Sequence, residues 1–190
     1  MRLIMKRVFL YVALVATLAL SMTACDSFLD VEQPEEKVSY LTQDVNFTAT
    51  SIICKHFTEL YMQYPHCENY YIEMVGDEVE GVREVMILDL LVPEDNPVLE
   101  AEFKVGYDGK FVALSKYDVF DPVTGFQYMG GCYYGKAVDG YIRDYYGFLT
   151  EGTVRISSLD GVYNIDVNAK SLDHEIKVLY SGPLTVIEGK

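Results

Sequence analysis

From Glu151 to Tyr180 the chain alternates apolar and polar residues almost one for one, and that rhythm dictates the kind of fold available to it. Val154 and Ile156 alternate with Thr153, Arg155 and Ser157, and Leu159-Asp160-Gly161 then turns the chain. Tyr163, Ile165 and Val167 continue the apolar face, while Asn164, Asp166 and Asn168 take the other side. A period of two sends successive side chains to opposite faces of a β-strand, and Asp-Gly supplies the left-handed backbone of a tight hairpin turn. After a polar loop, Ile176, Val178 and Tyr180 give another strand and Leu184 to Ile187 the last.

The same signals begin at Val45, in short apolar runs bounded by Gly, Asp, Asn and Pro. A second hairpin is expected where Asn69 to Val75 and Val82 to Leu91 flank residues 76–81. Tyr70, Ile72 and Met74 share one face of its first strand, and Val82, Met86, Leu88 and Leu90 one face of its second. Its register must keep Glu73 from lying opposite Glu84, where like charges repel. Cys54 to Tyr64 is the only stretch that could pass for a short helix. Residues 45–190 therefore predict an all-β domain, an antiparallel β-meander half-buried strand by strand. A lone sheet of this size would leave a bare apolar face, so the meander should close as a β-sandwich or, alternatively, a calycin-like β-barrel.

The N-terminus carries a different signal. Arg2, Lys6 and Arg7 precede an apolar run from Val8 to Leu20, followed by Met22-Thr23-Ala24-Cys25. This is the layout of a secretory signal peptide over residues 1–24. The run spans about 20 Å as a helix, too short for a permanent membrane span of about 20 residues. The cysteine at the cut resembles a bacterial lipoprotein signal, which implies that Cys25 is acylated and becomes the new N-terminus. Stable anchoring takes two or more acyl chains, each buried CH₂ contributing about 0.8 kcal/mol. Cys25-Asp26-Ser27-Phe28-Leu29-Asp30 is similar to the opening of Bacteroidota-type outer-membrane lipoproteins, including glycan-capture lipoproteins of starch-utilisation-type systems. That resemblance implies an outer-membrane or cell-surface location, with membrane contact through the lipid. Asp26 by itself resembles an inner-membrane retention signal in other Gram-negative groups, which would leave the domain facing the periplasm. Residues 25–44, acidic and interrupted by Pro34, read as the lipidated cysteine and its flexible tether.

Glu151-Gly152-Thr153-Val154, Asp160-Gly161-Val162-Tyr163-Asn164-Ile165 and Tyr180-Ser181-Gly182-Pro183-Leu184 resemble the ending of small Bacteroidota-type surface lipoproteins. These motifs are hairpin and core chemistry, and the resemblance brings no catalytic residues with it.

Charge narrows the partners. Removing residues 1–24 leaves 12 of the 15 basic residues and all 29 acidic ones, a formal charge of −17 over 166 residues. That argues against nucleic acid and against docking of the domain body on anionic lipid. Cys54, Cys67 and Cys132 remain beyond Cys25; they are either buried free thiols, or Cys54 and Cys67 bridge a thirteen-residue excursion. Cys54, His56, His66 and Cys67 have the composition of a zinc site but not its ligand spacing, and no metal or other cofactor is expected. Glu73, Glu84 and Asp89 read as ordinary strand charges, and no nucleophile elbow or phosphate loop appears. Asp108-Gly109, Asp139-Gly140 and Asp160-Gly161 read as turns.

The remaining feature is a tyrosine- and glycine-rich segment, Gly125 to Phe148, carrying Tyr128, Tyr133, Tyr134, Tyr141, Tyr145 and Tyr146. Tyrosine offers rigid amphipathic surface at low entropic cost, and the same pairing with glycine builds antibody paratopes. The expectation is a non-enzymatic lipoprotein with no catalytic residues, binding a glycan, peptide or protein through these tyrosines. The alternative is an accessory subunit of an outer-membrane assembly; a hydrolase would need converging carboxylates or a metal.

Overall fold

Every regular element among the described residues is a strand. The computed structural model describes residues 41–58, 64–120 and 127–189, which fall in one compact unit. The strands are β1 (Val45–Thr48), β2 (Ser51–Thr58), β3 (Cys67–Val79), β4 (Val82–Pro93), β5 (Glu102–Gly106), β6 (Val112–Leu114) and β7 (Tyr117–Phe120). They continue with β8 (Gln127–Gly130), β9 (Tyr133–Val138), β10 (Tyr141–Phe148), β11 (Glu151–Leu159), β12 (Val162–Ser171), β13 (His174–Gly182) and β14 (Val186–Glu188). Twelve of them form one sheet in the order β1-β13-β12-β11-β5-β6-β4-β3-β2-β14, with β9 on β4 and β10 on β9; β7 and β8 make a separate ribbon.

The sheet is mixed. Most pairs are antiparallel, as the alternation predicts, but β1 with β13, β5 with β6 and β14 with β2 run parallel. The pure antiparallel meander is corrected on this point. The candidate helix at Cys54–Tyr64 is corrected at its start, since residues 54–58 belong to β2, which pairs with β3 from Ser51↔Val75 to Thr58↔Glu68; residues 59–63 lie outside the described residues. The β1 and β14 edges are not hydrogen-bonded to one another, so the sheet path is not closed.

The hairpins follow local chemistry. Asp160 and Gly161 (φ 52° and 80°) join β11 to β12, and Asp139 and Gly140 (φ 52° and 78°) join β9 to β10. Glu80 and Gly81 (φ 53° and 78°) make the same turn between β3 and β4, so those strands run on through most of the stretch expected as a loop. Two consecutive positive φ values are what a type I′ hairpin requires. A register shift between Val75 and Glu78 absorbs the extra residues, and Glu73 lies opposite Ile87, clear of Glu84.

One core serves both ends of the sheet. Ile165, Val167, Ile176, Val178, Val154 and Ile156 from β11–β13 belong to the same buried cluster as Cys54, Ile72, Met74, Met86, Leu88 and Leu90 from β2–β4. Each such side chain contributes about 1.5–3 kcal/mol of burial. Consecutive amides at the corner serve different strands: Ala49 N donates to Leu179 O of β13, and Thr50 N to Val75 O of β3. Leu41 and Asp44, within the stretch read as tether, are already engaged. Leu41 is buried, and Asp44 Oδ1 accepts from Glu175 N at 2.9 Å.

Candidate functional site

β9 begins Tyr133-Tyr134, and strand alternation must send these two rings to opposite faces. Tyr134 turns inward, 2% exposed, with its ring 6.2 Å from that of Phe47. Its hydroxyl donates to Glu84 Oε1 at 3.0 Å. Burial and the adjacent Glu84 carboxylate push this phenol well above its ordinary range, so it stays a donor at neutral pH. The segment leading into β1 passes in front of it. Leu41, Thr42, Gln43, Val45, Tyr134 and Lys136 line a cavity of about 320 Å³.

Gly147 lets that wall close. A Cβ at this position would lie 2.7 Å from Leu41 Cγ and 2.5 Å from Ser171 Oγ, so only glycine allows Leu41 to seat there. Lys136 sits opposite Glu84 on β4 and opposite Arg143 on β10, so three charged positions form a row across the strands. Lys136 is half-buried and makes no ion pair among the described residues.

The six tyrosines named from the sequence do not make one surface. Tyr133 faces outward, hydrogen-bonded to Tyr71, with its ring 5.4 Å from that of Phe148. Burial and Glu73 push its phenol up. Tyr141 is exposed beside the Asp139-Gly140 turn. Tyr128 is on β8, and Tyr145 and Tyr146 are on β10; their side chains lie outside the described residues. Tyr134 is corrected from an exposed contact to a buried ring in a cavity wall.

The cysteine and histidine set is dispersed. Cys54 points into the core, where burial pushes its thiol up to about 12, while Cys67 packs with Leu91, Val112 and Leu114 in a second cluster. Cys54, Cys67 and Cys132 are all free, so the Cys54–Cys67 bridge is not formed. His66 is exposed near Glu94. His56 is held between carboxylates, with Nε2 2.7 Å from Glu68 Oε2 and Nδ1 3.1 Å from Glu188 Oε2, and its ring stacks on Tyr70. No three His, Cys, Asp or Glu side chains cluster as a metal site among the described residues.

One group was misread from the sequence. Asp89 is not a surface charge but 2% exposed, accepting from Asn69 Nδ2 at 2.5 Å and from Gly131 N at 3.2 Å. Asn69 Oδ1 is buried without a hydrogen-bond partner among the described residues. The clue was present: Asp89 interrupts the otherwise apolar run Val85 to Val92, where both faces of a strand are buried. Cys25 and the signal segment lie outside the described residues. Compared with protein-family models, curated proteins and solved structures, the chain matches none.

Proposed function

We propose that this protein is a non-enzymatic binding module that takes a small ligand in the Tyr134 cavity and is held at the outer membrane or cell surface by acylated Cys25. The cavity carries the proposal. Its volume of about 320 Å³ falls in the range of small-molecule sites, and Thr42, Gln43, Tyr134 and Lys136 set polar groups beside the carbon of Leu41 and Val45. Its chemistry suits binding rather than catalysis. Tyr134 is a fixed donor, and the Glu84 carboxylate, the group opposite Lys136, is already engaged by it. The anchor rests on Met22-Thr23-Ala24-Cys25 after the apolar run.

We also read the sheet as a flattened barrel in preference to a sandwich. β1 runs into β2 and β13 into β14, and these continuous segments pair in parallel on both sides of the corner, from Val45↔Ile176 to His56↔Glu188. Counting each as one bent strand completes a ring through β12, β11, β5, β6, β4 and β3. An assembly role is favoured by a different observation: edge strand β14 exposes Val186 and Ile187.

Thermal unfolding of the full chain against panels of small glycans, peptides and organic acids tests the binding reading. A ligand at a hundred times its dissociation constant stabilises by about 2.7 kcal/mol. That shift should vanish when Thr42→Trp fills the cavity. A shift that survives Thr42→Trp, or none from any panel, moves the function to the β14 edge. Metabolic labelling with a clickable palmitate tests the anchor, since Cys25→Ser should abolish incorporation.

A further inference from the structure

We infer that the adjoining tips of the β3–β4 and β9–β10 hairpins form a docking strip for an extended segment of a partner protein, one that carries apolar side chains between lysines or arginines. The strip lies outside the cavity, and the inference holds whichever ligand the cavity takes. It begins with register. Val79 stands opposite Val82, Val82 opposite Val138, and Val138 opposite Tyr141, so one apolar row crosses β3, β4, β9 and β10. Directly opposed residues put their side chains on the same face of a sheet. On β4 that is the face of Met86, Leu88 and Leu90, and on β9 the face of Tyr134, all four in the core. The core stops before the row does: Val79 is 67% exposed and Tyr141 69%.

An isolated hairpin needs no more than one cross-strand pair beside its turn, and Leu159 with Val162 is such a pair on β11 and β12. The row is wider. Because Val82 pairs with Val138, the turns at Glu80-Gly81 and Asp139-Gly140 end level with each other, and two pairs merge into a strip four strands across. At about 4.8 Å between strands it runs about 14 Å. Alternate side chains of an extended segment lie about 6.8 Å apart, so two or three of them fit along it. With both end residues exposed, the strip does not enclose a small molecule, which needs a concave site.

Charge decides among the larger occupants. Residues 77–83 and 138–141 hold Asp77, Glu78, Glu80 and Asp139 against Arg83 alone, a net −3 in 11 residues where the whole chain carries −14 in 190. Arg83 is already paired with Glu78 at 3.0 Å. The next row inward, Glu84, Lys136 and Arg143, adds one positive charge and leaves the excess acidic. A second copy of this chain would bring the same charge to the same place and be repelled. A bilayer would have to take in the Glu80 and Asp139 carboxylates, which stand in the turns themselves, beyond the row. A basic segment meets opposite charge on either side of its apolar residues, which speeds encounter and fixes register.

The test follows fluorescence anisotropy of three labelled peptides with the full chain in phosphatidylcholine nanodiscs. They are Lys-Lys-Val-Tyr-Val-Lys-Lys, its charge reversal Glu-Glu-Val-Tyr-Val-Glu-Glu, and Lys-Lys-Ser-Gly-Ser-Lys-Lys, which lacks the apolar centre. The first should bind, and the other two at least about tenfold more weakly. Val79→Thr with Tyr141→Thr should weaken the first at least about tenfold and leave the thermal midpoint in place, because both residues are exposed. Leu159→Thr with Val162→Thr, at the other hairpin tip, should leave its binding unchanged. Glu80→Gln with Asp139→Asn should weaken it and flatten its salt dependence. Binding of none of the peptides, equal binding of all three, or binding that survives Val79→Thr with Tyr141→Thr overturns the inference. So does a dimer in sedimentation velocity that the same pair dissociates, which gives the strip to a second copy. Tyr141→Cys that reacts with maleimide in detergent but not in nanodiscs gives it to the bilayer, and overturns the inference equally.

Discussion

β12 and β4 both lie inside the same sheet, each with neighbours on both edges, yet they bury their residues differently. β12 keeps one face in the core and one in solvent: Ile165, Val167 and Ala169 are buried, and Asn164, Asp166 and Asn168 are exposed. β4 is buried continuously from Val85 to Val92. Met86, Leu88 and Leu90 enter the main core, while Val85, Ile87, Asp89 and Leu91 alternate with them and are buried as well. The one-faced strand leaves its polar side chains to water. The two-faced strand must satisfy Asp89 internally, through Asn69 and the Gly131 amide. Its outer face is therefore specified by a polar network, where that of β12 is barely specified at all.

The contrast can be broken at several points. Asp89→Ala strands two buried donors and should cost about 4 kcal/mol in urea unfolding, at about 1–3 kcal/mol for each unpaired group; a loss under about 1 kcal/mol would sink the contrast. The inner faces should not differ: Leu88→Ala and Ile165→Ala should each cost about 3 kcal/mol as ordinary cavity formation. Alkaline pH sharpens the comparison, because Cys54, on the strand flanking β3, has its thiol raised to about 12. Above about pH 9 the unfolded chain loses that proton while the folded chain keeps it. Stability should therefore fall between pH 9 and 12, by about 1.4 kcal/mol per unit from this group. Cys54→Ala should remove that component, and the native thiol should resist iodoacetamide up to pH 10. Gly161→Ala, at φ 80° with nothing within 4 Å of a new Cβ, should cost about 1 kcal/mol through backbone strain alone. Asp166→Ala, on the solvent face of β12, should change stability by under about 0.5 kcal/mol in the same titration.

The same contrast explains what could be read from residues alone. The β11–β12 hairpin was legible to its facing, because Val154, Ile156, Ile165 and Val167 alternate with polar neighbours and Asp160-Gly161 marks the turn. The facing of β3 and β4 was legible through Ile72, Met74, Met86 and Leu88, but their length was not. Gly76, Asp77 and Glu78 look like a loop and are instead strand around a bulge. The parallel pairs could not be read, since Val45 and Ile176 carry no local mark of lying side by side. At the site, residue type pointed to the tyrosines and could not say which face each takes. Lys136 escaped notice because its meaning lies in Leu41, Thr42, Gln43 and Val45, more than ninety positions earlier in the chain. Asp89 was legible in principle, as the only charge in a run buried on both faces.

The β1–β13 ladder fixes an order of events in time. Val45 finds its partner only when Ile176 has been made, and Cys54 only when Val186 has. Contacts of such long separation make folding slow. A ribosome or a translocation channel delivering this chain head first therefore releases its opening strand long before anything exists to receive it. Until then Phe47 and the apolar faces of β2 and β3 wait uncovered, so folding completes only after delivery does. A chain interrupted at the β12–β13 turn would retain hairpins but have nothing to fasten β1, and a protease cutting near Thr48 should clear such fragments while sparing the finished protein.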